Sequence, residues 1–398
     1  MKSIVIVLAG AADHPAEELG GKTPLEVAKI PNLNAFAKTG KVGMVKLTSD
    51  RAPLASDVTL FNLLGYDASK LYTGRGPLEA ANLELTLEEK EVVFCMNFIT
   101  EFSGMLSDPT AGGVSTKEAK ALINFLNKKV ASDFVRFFAG SGHRHIAVIK
   151  DAHGFEALSA KTLSPESVIG QKIEDYLPKG PGEQLLRKLM YDAKLLLQEH
   201  EINQVRVDLG ENPANMIWLW GQGQKPTLKP FRELFDLTGG AMVATREFAK
   251  GLGRLAGLTV MEVKEEGSDM PVFYEKLAKA TLDLLEEKDF VCLYVHTADE
   301  AGRDGDYKGK VSALEGIDFF ILSKIRKYLE RSKEARLLVT PGHAAAWKMK
   351  GLVRDAVPFA VTGKNIMADE IERFSEIAAK TSDLKINKST ELMPFFIS

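Results

Sequence analysis

Residues 289–306 read "DFVCLYVHTADEAGRDGD". The first seven are apolar apart from the leading Asp, rich in Val, Leu and aromatics, and of strand length, so they read as a buried strand. The next eleven hold a His and four acids, with Arg303 and two glycines among them. Acids gathered just beyond a buried strand are a common way to hold a metal, so this stretch poses both the question of fold and the question of chemistry. Five similar runs, "SIVIVLA", "AMVAT", "TVMEV", "ARLLVTP" and "VPFAVTG", recur at the start of the chain and after about residue 240. Helical periodicity fills the gaps, as in "VFYEKLAKATLDLLEEK" and "ALEGIDFFILSKIRKYLERS". Strands alternating with helices imply a mostly parallel sheet with helices on both faces.

The middle of the chain has a different rhythm. "VRFFAG", "HIAVIK" and "QVRVDL" suggest further strands, and "TKEAKALINFLNKK" and "EQLLRKLMYDAKLLLQEH" two long helices. The expected organisation is therefore α/β throughout. Residues 1–74 and 231–398 form one domain, and 75–230 a second α/β domain inserted into it. A chain of 398 residues is long enough for both. A formal net charge of -3 gives no global field for nucleic acid or an anionic membrane. Cys95 and Cys292, both in apolar runs, offer no disulfide framework and no metal spacing, which fits a reducing, cytoplasmic setting. The N-terminal apolar run is too short to span a bilayer.

In open α/β sheets ligands bind beyond the carboxyl ends of the strands. That rule gathers Ala9-Gly10, Ser56, His296 to Arg303, Gly342-His343 and the segment before "DAVPF" around one candidate crevice.

Here whole motifs bear a likeness. "GGKTPLEVAKIPNLNAFAKTGKVG", "SDVTLFNLLGYDASKLYTGRGPLEAA", "NPANMIWLWGQG", "ADEAGRDGD" and "DAVPF", in that order and spread to about residue 365, resemble the archaeal-type cofactor-independent phosphoglycerate mutases of the alkaline phosphatase superfamily. The resemblance implies a phosphatase-like domain with two divalent metals, usually Mn2+. It also implies a serine that passes the phosphoryl group between neighbouring hydroxyls of phosphoglycerate, and an inserted domain that holds the glycerate. Two metals about 4 Å apart would neutralise the phosphoryl oxygens and activate the hydroxyl.

Mapped onto this sequence, the nucleophile position is Ser56 in "LASDV". On its own, a Ser-Asp pair before a helical pattern reads as a helix cap. Asp299 and His343 stand at expected metal-ligand positions. Ala9, Arg303, Gly342 and Leu352 occupy four others, and none of these side chains ligates a divalent ion at neutral pH. In the inserted domain the resemblance assigns substrate contacts to Arg75, Asn97, Asp108 and Arg144, and in the first domain to Lys276. Cys95 stands where an Arg is expected and Gly113 where a His is expected, and the Gly-Thr-Gly-like turn before Lys276 is largely gone. Trp218 and Trp220, two apart, read as packing residues on one side of an extended segment.

"HTADEAGRDGD" is thus expected to be a former metal site. Three functions follow. The first is a mutase-like pseudoenzyme that needs no metal cofactor and binds a small phosphorylated metabolite, a protein partner or a second copy of itself. The second is a working mutase with a reduced metal site. The third is a related phosphotransferase. Arg303, four residues after Asp299, is expected to fill the emptied metal position and neutralise that acid.

Overall fold

The computed structural model describes residues 1–151, 154–264 and 269–398. The Gly-Thr-Gly-like turn looked for before Lys276 falls at 265–268, outside the described residues. The chain divides into two compact units, residues 1–72 with 227–398, and residues 73–226. These boundaries differ slightly from 74/75 and 230/231, for a local reason. Thr73 donates to the carbonyl of Gln224, and an added Cβ at Gly74 would lie 2.1 Å from the Gln222 carbonyl oxygen, which binds 73–74 to the second unit. The Lys229 carbonyl accepts from Tyr66 (2.8 Å), which binds that residue to the first.

The first unit is built on an eight-stranded sheet in the order 385–386, 41–45, 357–363, 335–340, 2–8, 290–295, 240–244, 259–262. The last five run parallel, and Val357–Gly363 pairs antiparallel on both its sides. The six apolar runs of the sequence all become strands of this sheet. Alternation sends Ile4, Ile6, Leu8, Val291, Leu293 and Val295 into a core shared with helices Met270–Glu287 and Pro31–Lys38. Tyr294, on the other face, meets Phe248 of helix Glu247–Leu255 edge to face at 5.6 Å. With both faces covered, the inner strands are buried almost end to end, while the edge strand 259–262 is largely exposed. Leu8 pairs with Val295 and Val7 with Thr340, so Ala9, His296 and the residues after Thr340 emerge side by side at one end of the sheet.

The second unit centres on the long strand Glu91–Phe102, flanked by Arg144–Lys150 and Met216–Gly223, with Val135–Ser141 outside and Met105–Asp108 at one end. Helices Thr116–Lys129 and Glu183–Gln198 bury their apolar stripes against Phe94, Met96 and Phe98. "QVRVDL" is not a strand. It lies in helix Glu201–Asp208, and its alternating Val205, Val207 and Leu209 remain exposed. The anchors there are polar: His200 caps the helix, Asn203 donates to the carbonyls of Leu197 and Ala214, and buried Arg206 donates to those of Ala111, Gly112 and Asn212. Among the described residues no helix is long and apolar enough to cross a membrane.

Candidate active site around Ser56

Ser56 is the first residue of helix Ser56–Leu63, whose eight residues are all buried. Ala55 is the N-cap and no side chain caps the helix, so Ser56 is not a capping serine. Its hydroxyl oxygen accepts instead from Arg303 (Nη2, 2.9 Å). Arg303 also donates through Nε to Asp299 (3.0 Å). The second carboxylate oxygen of Asp299 meets His343 Nε2 at 2.9 Å, and His343 Nδ1 lies 3.4 Å from the Thr59 hydroxyl. Ser56, Arg303, Asp299 and His343 therefore form one continuous chain of contacts, all within the first unit.

Asp299 and Arg303 face each other because they stand four apart on helix Thr297–Asp304, where i and i+4 share a face. Burial alone would raise the Asp299 pKa. The charges and hydrogen bonds of His343 and Arg303 outweigh that and hold it far below the ordinary carboxylate range. Gly10 has φ +69°, and a Cβ there would come within 2.6 Å of the Asp299 Cα, so the backbone after the first strand can pass the acid only as glycine.

The other polar residues of the quoted stretch point elsewhere. His296 engages Thr245 (2.8 Å) and Glu300 (3.2 Å), Glu300 also pairs with Arg246, and Asp306 caps the next helix through Gly309 N–H (2.8 Å). Ala9 is buried at the strand end. Gly342 has φ +70°, and Leu352 lies on strand Gly351–Val353 opposite Ala345. Among the described residues no group of three or more His, Cys, Asp or Glu is arranged to hold a metal. The pair of divalent ions implied by the resemblance does not fit these side chains: the one acid present is already shared between a guanidinium and an imidazole.

Sequence reading passed over Lys310. Its side chain is fully buried, and the ammonium donates to Asp13 (2.5 Å), the Ala345 carbonyl (2.7 Å) and the Ala12 carbonyl (3.2 Å). Burial pushes its pKa down, against the pull of Asp13. Asp13 N–H in turn donates to buried Glu376 (2.9 Å). This network ties the loop after the first strand to the segment following His343. A lysine within a helical pattern gives no signal of such burial.

In the second unit, strand register sets Asn97 opposite both Arg144 and Trp218. The Trp220 indole donates to Asn97 Oδ1 (3.0 Å), and the Arg75 guanidinium lies 5.5 Å from the Trp220 ring centre while its Nε pairs with Glu79 (2.6 Å). Trp218 is a packing residue, 1% exposed, but Trp220 does more than pack. Asp108 stands apart from this group. It accepts from Thr110 N–H and hydroxyl (both 2.7 Å), Gly112 N–H (2.8 Å) and Asn212 (3.0 Å). Burial opposes its charge, but those bonds prevail and lower its pKa. Gly113 follows with φ +63°, a left-handed position poorly suited to the His that the resemblance places there. Lys276 lies in the first unit, exposed on helix Met270–Glu287. His145 points to the opposite face from Asn97, 4.8 Å from the Phe98 ring, and its Nδ1 accepts from Gly140 N–H (3.1 Å). Burial, helped by the charge of His143, pushes its pKa down to about 3.

A family model described as 2,3-bisphosphoglycerate-independent phosphoglycerate mutase matches residues 37–203. The chain is 37% identical over 400 residues to a protein of that name from Methanosarcina barkeri, covering 100% of this chain and 99% of the relative. The chain belongs to this mutase family. It is also 35% identical over 399 residues to the Methanothrix thermoacetophila protein of the same name, with 100% of both covered. Among solved structures it resembles the PH0037 protein of Pyrococcus horikoshii (TM-score 0.80, 25% identity, 100% and 96% covered). It also resembles the cofactor-independent phosphoglycerate mutase of Thermoplasma acidophilum (TM-score 0.62, 25% identity, 100% and 99% covered). The mutase-type fold is thus carried whole.

Two outcomes are expected. Arg303→Ala leaves Asp299 with His343 alone. The Asp299 side chain is 9% exposed and that of Arg303 44%. The cost should be about 1–2 kcal/mol, below the ~3–5 kcal/mol of a fully buried pair because water reaches the guanidinium. Asp299→Asn with Arg303→Met should be better tolerated than Arg303→Ala alone, as read by denaturant midpoints. An unchanged midpoint for Arg303→Ala would count against the pairing energy.

The second outcome concerns pH. His145 has a folded pKa of about 3 against 6.5 for the free side chain, so below pH 6.5 the unfolded chain binds the extra proton. Stability present above pH 6.5 should fall as the pH drops towards 3, by up to ~1.4 kcal/mol per pH unit. His145→Gln should flatten that slope between pH 6.5 and 4.5 in denaturation series. Parallel slopes for the two proteins would refute the assignment.

Proposed function

We propose that this member of the mutase family binds a small phosphorylated hydroxyacid at Ser56 but transfers its phosphoryl group slowly or not at all. The observation that carries the reading is the Arg303 guanidinium, which bridges Asp299 and the Ser56 hydroxyl. An arginine supplies one diffuse positive charge and fixed N–H donors, good for holding a phosphate. It does not lower the pKa of a hydroxyl as a divalent ion does, and here it engages a lone pair of the oxygen that would attack.

A nucleophilic serine also needs a proton acceptor. Among the described residues Ser56 Oγ meets no base: His343 spans Asp299 and Thr59. General base catalysis is worth ~10²–10⁴-fold, and the charge of a metal several kcal/mol more. Each 1.4 kcal/mol lost is about tenfold in rate. Lacking both, the centre should run at least ~10³-fold below a two-metal mutase. The burial of both cysteines, Cys95 and Cys292, supports a cytoplasmic location. No resident metal cofactor is assigned.

After dialysis against Mn2+, elemental analysis should find well below two ions per chain, and an enzyme-coupled assay should detect no 3- to 2-phosphoglycerate conversion above the Ser56→Ala background. Two tightly held ions with Ser56-dependent turnover would establish an active mutase instead. Ala9→Asp alone should restore neither property, because affinity needs several ligands acting together. Ala9→Asp, Arg303→His, Gly342→Asp and Leu352→His together should recover metal binding. This should come at some cost in stability, since residue 342 is left-handed and a Cβ there would lie 2.9 Å from Val7 Cγ1.

A further inference from the structure

Asn97 is 2% exposed, and its buried side-chain Nδ2 has no hydrogen-bond partner. Buried donors left in that state are rare and costly, and a water or a ligand oxygen is the usual resolution. The orientation of the amide follows from chemistry. An indole N–H can only donate, so the Asn97 atom 3.0 Å from Trp220 Nε1 must be the carbonyl oxygen. The NH2 group must then point away from the indole.

One guanidinium faces the amide, and a second, paired with Glu79, lies against the indole that holds it. Arg144 stands opposite Asn97 across the sheet, where facing side chains lie on the same side. The Arg75 guanidinium lies over the ring of the same Trp220 that holds the amide. Cys95, two residues before Asn97 on that face, is paired in register with Trp220, and a Cβ on Gly221 would approach its sulfur to 3.5 Å. The wall beside the amide is therefore small and uncharged.

We infer that Trp220 is a positioning residue: by holding the Asn97 carbonyl it fixes Asn97 Nδ2 as a donor to one anionic oxygen of a small ligand, a carboxylate or phosphate oxygen. This rests on the reading of the chain as a binder of a phosphorylated hydroxyacid. It adds a residue and an orientation to that reading. Without the indole N–H, the amide can turn and present its carbonyl oxygen, which repels an anion.

The test is calorimetric titration of the full chain with 3-phosphoglycerate, glycerol 3-phosphate and D-glycerate. It compares the unmodified protein with Trp220→Phe, which keeps a ring for Arg75, and with Asn97→Asp, which replaces the donor by a like charge. Binding of 3-phosphoglycerate should weaken about 3–10-fold in Trp220→Phe and more than tenfold in Asn97→Asp, at unchanged circular dichroism. If the oxygen belongs to the carboxylate, the loss extends to glycerate and spares glycerol 3-phosphate; if to the phosphate, the reverse. Either selective pattern supports the inference, because general structural damage weakens all three ligands alike. Should Trp220→Phe fail to fold, Asn97→Asp carries the same ligand comparison. Equal loss for all three ligands, or 3-phosphoglycerate binding unaffected by the variants that fold, overturns the positioning role alone. Absence of 3-phosphoglycerate binding by the unmodified chain overturns both this inference and the proposed function.

Discussion

A carboxylate buried at the end of a parallel sheet needs a counter-charge, and in this protein the counter-charge is organic. Asp299 sits in the first turn of a helix that starts where strand Phe290–Val295 ends. Its two oxygens divide between Arg303, on its own helix, and His343, three residues beyond the end of strand Ala335–Thr340. The lowered pKa of Asp299 depends on that neutralisation, and Gly10 passes close beside the acid. A single acid held this way is a neutralised corner built from side chains alone. It is a poor place to lodge a second and third charge of the kind a metal pair requires.

Lys310 supports the corner from behind. Its ammonium joins the loop after the first strand to the segment after His343, the two pieces of chain that frame Asp299. A buried ammonium is costly unless its protons are satisfied, and three acceptors within 3.2 Å do this. The two pieces of chain are therefore joined here by protein groups alone.

Much of this was legible in the sequence because the signals were local. The buried strands announced themselves as β-branched runs, and Arg303 and Asp299 were predictable partners because a four-residue spacing on a helix leaves them on one face. Other features depended on tertiary context. "QVRVDL" alternates like a strand, yet Asn203 and Arg206 secure it as a helix whose valines face water. Lys310 looked like one more surface charge. Trp220 looked like packing, since nothing in "WLWGQG" tells which indole finds an acceptor 123 positions away. The left-handed backbone at Gly342 and Gly113 is likewise a property of the folded chain that composition cannot reveal.

The second unit holds a polar cluster around Asn97, while in the first Arg303 stands where the resemblance places a metal ligand. Asn97, Arg75 and Trp220 are joined by direct contacts, whereas Asp108 is engaged by Thr110, Gly112 and Asn212. Binding without turnover is the function proposed for the chain. The most direct measurement is to incubate the protein with 32P-labelled 3-phosphoglycerate and Mn2+, quench in acid, and search for phosphate on Ser56. No label on Ser56 is predicted, beside measurable binding of the same compound. Stoichiometric phosphoserine at position 56 would show that Arg303 yields to a working metal centre, and would contradict the account.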